Sequence, residues 1–165
     1  FNSIASCNRD TYAKSKAISP PWSKGYRLPG SSFHSIAAWS PDGTRVAYLC
    51  NSGDVITITD TRYGIIHHIN PNVGLNFCFL QFSPDGRFLV AASRDCTIRL
   101  WDNIAGNYEQ LHEWNVIQDD VGRIGQHLSC NISACSKYIV VASHWRNCVV
   151  LISIENGETI RSLTP

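Results

Sequence analysis

From Phe33 onward, apolar runs and short polar breaks follow one another in a fixed order. Ile36-Ala37-Ala38-Trp39 leads into Ser40-Pro41-Asp42-Gly43, and Arg45-Val46-Ala47-Tyr48-Leu49 follows. A polar break, Asn51-Ser52-Gly53-Asp54, then gives way to the alternating run Val55-Ile56-Thr57-Ile58-Thr59-Asp60. After Gly64 comes a short edge-like run, Ile65–Ile69. Runs this short, rich in β-branched and aromatic residues and bounded by Pro, Gly, Asn and Asp, predict strands joined by tight turns. Each Pro-Asp-Gly segment predicts a turn, because Pro presets one φ and Gly accepts the left-handed conformation at no steric cost.

The same order returns 43 residues later, when Ser83-Pro84-Asp85-Gly86 repeats the first turn. Phe79-Leu80-Gln81-Phe82 precedes it, and Phe88-Leu89-Val90-Ala91-Ala92 follows. The break is Ser93-Arg94-Asp95, the alternating strand Cys96–Asp102, the glycine Gly106 and the edge strand Tyr108–Leu111. A third unit is worn. Leu128–Ser133 leads into Ala134-Cys135-Ser136, where the Pro-Asp-Gly turn is lost. Tyr138–Ser143, His144-Trp145-Arg146-Asn147, Cys148–Ile154, Asn156-Gly157 and Thr159–Leu163 complete it. Each unit is therefore read as four short antiparallel strands. One such unit cannot bury both faces alone, so neighbouring units must cover one another.

These residues resemble a known family, the WD40 repeats that form the blades of β-propellers. The two Ser-Pro-Asp-Gly turns, Ser93-Arg94-Asp95, and Leu100-Trp101-Asp102 followed by Gly106 carry the resemblance. It covers residues 33–165, and the 43-residue step fits a repeat of about 40–45 residues. It implies an all-β fold, a partial propeller of three four-stranded antiparallel blades at about 33–71, 75–114 and 124–165. Residues 1–32 precede them as a basic linker or extension. The resemblance also implies a stiffening network of Ser93, Asp95, Trp101 and Asp102. Its usual Gly-His is absent, with Asn72-Val73 near that place, and Thr59 and Ser153 are aligned with Trp101. Propellers close with about four to eight blades. Three blades imply missing blades, or a partner, to complete the ring. The chain begins at Phe1 and holds no Met, so a fragment of a longer protein is expected.

Composition changes the picture only in part. Apolar residues make up 44% and charged residues 16%, with a net charge of +1, which excludes a wholly disordered chain. No apolar stretch reaches the roughly 18–20 residues that span a bilayer, so no membrane is expected. Arg9, Lys14, Lys16, Lys24 and Arg27 stand against Asp10 alone in the leader. Seven cysteines are present, none in a CxxC, and most lie in apolar runs. They read as buried, reduced thiols in a cytoplasmic or nuclear protein. Cys130 and Cys135 alone do not supply a zinc site.

No arrangement for catalysis assembles. No phosphate-cradling loop, nucleophile elbow or HExxH motif is present. His67 and His68 are strand neighbours and point to opposite faces. Asn131-Ile132-Ser133 matches a glycosylation sequon, but it falls in a strand. No enzyme, cofactor or metal is expected. What remains is surface. In the family the loops on one rim receive partner peptides or domains. Here those positions are Arg94, Asp95, His144, Trp145 and Arg146, with the long link that contains Asp119, Asp120 and Arg123. Trp145 beside Arg146 has the composition of a binding hot spot. The leading expectation is a non-catalytic scaffold for protein–protein interaction in a multi-protein complex. One alternative is a nucleic-acid-associated propeller subunit using the basic leader, although nucleic acid is not the expected partner. Another is a fragment of a propeller enzyme whose active site lies in missing blades.

Overall fold

The computed structural model describes residues 36–50, 55–62, 64–69, 76–104, 106–116, 128–143 and 148–163. The basic leader and the 117–127 link lie outside them. The described residues form strands only, arranged as three four-stranded antiparallel sheets. The first holds β1 (Ala37–Trp39), β2 (Arg45–Cys50), β3 (Val55–Asp60) and β4 (Gly64–Ile69). The second holds β5 (Phe77–Phe82), β6 (Phe88–Ser93), β7 (Thr97–Ile104) and β8 (Asn107–Asn115). The third holds β9 (Leu128–Ile132), β10 (Tyr138–Ser143), β11 (Cys148–Ser153) and β12 (Thr159–Leu163). Within every sheet the strands lie side by side in chain order. Sheets approach one another most closely along β1, β5 and β9. Those are the inner strands, and β4, β8 and β12 form the outer edges.

The first two turns form as their residues dictate. Gly43 and Gly86 take φ values of 67° and 75°, and each donates its N–H to the carbonyl of Ser40 or Ser83 at 2.9 Å. The third turn corrects the expectation that the feature is lost. Ser136 adopts φ 57° and donates to the Ser133 carbonyl at 2.9 Å, so the geometry persists without Pro, Asp or Gly. A left-handed non-glycine residue costs about 1–2 kcal/mol. A tertiary bond offsets part of this: the Asp85 N–H of the neighbouring sheet donates to Ser136 Oγ at 3.1 Å.

Between the first and second sheets, Ala47, Ile56 and Ile58 pack against Leu80, Phe82, Leu89, Ala91 and Trp101. Between the second and third, Val90, Ile98 and Leu100 pack against Cys130, Ile132, Ile139, Val141 and Ile152. β3 and the first six residues of β7 are buried throughout and not on alternate positions, whereas β10 and β11 keep the alternation. The edge strand expected at 108–111 runs from Asn107 to Asn115. Its far end is held by Trp114, whose Nε1 donates to the Gly157 carbonyl of the third sheet at 2.7 Å.

Register also corrects one alignment. Trp101 stands opposite Leu89, and Thr59 opposite Val46, as expected. In the third sheet the position opposite Ile139 belongs to Ile152, while Ser153 stands opposite Tyr138 as Asp102 does opposite Phe88. Each outer strand carries a bulge at the same height, between Ile58 and Thr59, Leu100 and Trp101, and Leu151 and Ile152 of its partner strand.

Candidate functional site

The β6–β7 turn holds Arg94 and Asp95, the two residues expected on a binding rim that fall within the described structure. Ser93, fully buried, donates its hydroxyl to Asp95 Oδ1, and the Thr97 N–H donates to the same oxygen at 3.0 Å. The Cys96 N–H returns to the Ser93 carbonyl at 3.1 Å with Cys96 at φ 69°. Asp95 is thereby committed to its own turn, where it is exposed and Arg94 half-buried. The Arg94 N–H donates to the Asn76 carbonyl at 3.1 Å, tying the turn to the entry of β5.

Beside this turn lies the seam between the inner strands β5 and β9. Burial pushes the Cys78 thiol up, with the Leu128 backbone and Arg94 opposing. Burial pushes Cys130 up to about 12, and the neighbouring Cys78 adds to it. Both are poor nucleophiles at neutral pH. Cys96, Cys130 and Cys148 are buried, as expected, but Cys135 is exposed. Its thiol is lowered by the Ser133 hydroxyl and then by the Lys137 N–H. The reason is positional: Cys135 occupies the place of Asp42 and Asp85, where the turn is built to hold an anion.

The residues grouped as one stiffening network are divided between the two ends of the sheet. Ser93 and Asp95 meet at the rim. Trp101 is buried and meets the Phe77 ring edge-on, 6.1 Å between centroids, with no hydrogen bond to the pair among the described residues. Asp102 stands opposite Phe88, at the Pro-Asp-Gly end, and Arg87 grips it there: Nε and Nη2 reach Oδ2 at 3.0 and 2.7 Å. At about 3.4 Å per residue the two clusters lie well over 10 Å apart.

Sequence reading missed what the turn end assembles. Arg45 Nη1 donates to the Tyr108 hydroxyl at 3.3 Å, across two sheets. A cavity of about 210 Å³ opens beside it, with Asp42, Asp85, Gly86 and Asn103 in its lining. The Ser40 hydroxyl, then the Thr44 N–H and hydroxyl, hold the Asp42 carboxyl down at about 2. Only the basic residue that follows each turn hinted at this in the chain. His67 and His68 diverge as expected. His67 stacks toward the Tyr108 ring at 5.5 Å, and His68 Nδ1 lies 3.1 Å from Thr57 Oγ1. Asn131 is exposed in β9, 3.4 Å from Gln81 Nε2. His144, Trp145, Arg146, Asp119, Asp120 and Arg123 lie outside the described residues. Among the described residues no three His, Cys, Asp or Glu side chains gather to hold a metal, and no helix is long and apolar enough to cross a membrane.

Residues 66–102 match the family model described as WD domain, G-beta repeat (WD40). The match begins in β4 of the first sheet and ends in β7 of the second, so one sequence repeat bridges two sheets. Among solved structures, the β-propeller domain of Cps50 (Swd1) from Myceliophteria thermophila is similar at 21% identity and a TM-score of 0.60. The alignment covers 79% of this chain and 43% of that one. At this identity the likeness is one of fold.

Proposed function

We propose that this chain, a member of the WD40 β-propeller family, is a non-catalytic scaffold that assembles other proteins on the rim that carries the β6–β7 turn with Arg94 and Asp95. The observation that carries the reading is the β6–β7 turn. Buried Ser93, the Asp95 carboxylate and the Thr97 N–H fix its backbone before any partner arrives. A turn backbone held in this way loses less entropy when its residues are bound, so contacts made there convert more fully into affinity. On this reading His144, Trp145 and Arg146 supply an aromatic and cationic hot spot on the next blade. The inter-blade link with Asp119, Asp120 and Arg123 is, on this reading, a further part of the binding surface. The scaffold works within a ring that further blades, or a partner, complete. Buried free thiols at Cys130 and Cys148 fit a reducing cytoplasmic or nuclear setting.

The test is quantitative affinity purification of the protein and of its Arg94→Ala, Trp145→Ala and Arg146→Ala variants at equal folded yield. Loss of the same associated proteins in all three supports the rim. Unchanged recovery removes it. Recovered nucleic acid whose retention falls steeply between low and moderate salt favours instead a phosphate-binding role for the basic leader.

A further inference from the structure

The two junctions between sheets are filled differently at the end that carries the turns of Ser40 and Ser83. Between the second and third sheets, Phe88, Ile132 and Ile154 join one core and are all buried. Register and turn bonds identify their counterparts between the first and second sheets. Arg45 stands opposite Asp60 as Phe88 does opposite Asp102. Phe82 stands opposite Leu89 as Ile132 does opposite Ile139. The Asn103 N–H reaches the Arg87 carbonyl at 2.8 Å, as the Ile154 N–H reaches that of Lys137 at 2.9 Å. An arginine and an asparagine thus hold places that a phenylalanine and an isoleucine hold one junction further on. The second junction is also closed by the bond from the Asp85 N–H to Ser136 Oγ. Gly86 follows Asp85 as Ser136 follows Cys135, and it has no hydroxyl to offer. The cavity of about 210 Å³ lies at this first junction.

The groups around the cavity are short of donors. Asn103 Oδ1 is shut off from solvent and accepts no hydrogen bond among the described residues. Burying an acceptor without a donor is costly, and native chains keep such costs mainly where function requires them. Asp42 and Asp85 line the same cavity, and neither forms an ion pair among the described residues. Their turns hold them in place: the Ser40 and Ser83 hydroxyls donate to Asp42 Oδ1 and Asp85 Oδ1 at 2.6 and 2.5 Å. Arg45 also lines the cavity, with its Nη1 turned to the Tyr108 hydroxyl. Two carboxylates against one guanidinium leave the lining negative, which disfavours an anion and suits a cation rich in N–H groups. The volume falls below the roughly 300–1,000 Å³ of pockets that enclose a whole small ligand, so a single side chain is the fitting size. A guanidinium meets this lining better than an ammonium. Its planar fork reaches acceptors on both walls at once, and it is the more weakly hydrated of the two cations.

We propose that the cavity between the first and second sheets, at the Ser-Pro-Asp-Gly end, seats an arginine side chain of a partner protein, with Asn103 Oδ1 and the Asp85 carboxylate accepting from its guanidinium across from Asp42. The seat lies at the end of the sheets opposite the β6–β7 turn. It rests on the scaffold reading only in drawing the arginine from a protein, and it is independent of what the rim binds.

The test uses the full polypeptide and a fluorescently labelled peptide, Gly-Gly-Arg-Gly-Gly, read by anisotropy. Peptides with lysine or citrulline in place of the arginine are run beside it. The arginine peptide should bind about tenfold or more tightly than either, and Asp85→Asn should weaken it by a similar factor. Arg45→Phe combined with Asn103→Ile gives the first junction the apolar pair of the second, and should abolish saturable binding. Asn103→Ile alone repeats the measurement should the combined variant unfold. No saturable binding up to about millimolar peptide overturns the proposal. So does equal binding of the citrulline or lysine peptide, or binding that survives Asp85→Asn and the filled cavity. Binding that emerges only with Arg9→Gln and Arg27→Gln in the leader assigns the cavity to the chain's own leader, and also overturns it. Failure of the rim reading would show in partner recovery with the Arg94, Trp145 and Arg146 variants and leave these affinities unchanged.

Discussion

Removing Arg87 should harm the fold more than removing the charge of its partner Asp102, although Arg87 is the more exposed of the two. The Arg87 side chain is 60% exposed and that of Asp102 is 1% exposed. Asp102 Oδ2 accepts both guanidinium bonds, while Oδ1 has no donor. Arg87→Ala therefore strips a buried carboxylate of its only donors among the described residues. Breaking a buried pair in this way costs about 3–5 kcal/mol. It also removes the guanidinium from the Phe88 ring, 4.7 Å away, worth about 0.5–1 kcal/mol. Asp102→Asn leaves a cation that water can solvate and lifts the burden of a buried charge, so a net loss of about 1 kcal/mol is expected. For a chain of this size about 1 kcal/mol shifts Tm by roughly 2–4 °C. Arg87→Ala should then lower Tm by about 10 °C or more, and Asp102→Asn by about 2–4 °C. Combining the two should be milder than their sum, because no charge is then stranded. Thermal unfolding followed by tryptophan fluorescence reads this directly, since Trp101 is buried beside Asp102. Equal losses, or a double variant that is fully additive, would refute the stranded-charge argument.

Three further outcomes are expected. Ser136→Gly should be near neutral, whereas Ser136→Ala should cost about 1–2 kcal/mol. Both lose the bond from the Asp85 N–H, but only Gly relieves the left-handed φ; urea denaturation that ranks Ala above Gly would overturn this. The folded-state Asp42 carboxyl lies near 2, below its ordinary 3.8. The stability it contributes is therefore complete above the ordinary value and lost as pH falls through about 2. The Tm difference between the protein and Asp42→Asn should hold constant above about pH 5 and vanish near pH 2, and parallel curves would count against it. Cys135 should react with iodoacetamide well before Cys130 near pH 8, because the turn lowers the first thiol and burial raises the second; comparable rates by peptide mass would contradict the assignment.

Local chemistry made much of the architecture legible in the chain. Ser40-Pro41-Asp42-Gly43 and its copy at 83–86 specify a turn through the φ of Pro and Gly, and the runs that flank them specify strands through β-branching. Those effects act within a few residues, and the turn and repeat pattern that carries them is readable without a fold. Asp95 was legible as a turn position between the second and third strands of its unit, yet its commitment to Ser93 and Thr97 was not, because the same spacing serves a free carboxylate equally well. Tertiary structure decided the remainder. Ser136 keeps a turn whose residues are gone because a backbone N–H from another sheet reaches it. β8 extends to Asn115, where Trp114 finds an acceptor on the third sheet. Register, not spacing, aligned Ile152 with Trp101 and set Asp102 beside Arg87. Each of these depends on contacts between residues far apart in sequence, and such contacts exist only once neighbouring sheets have packed.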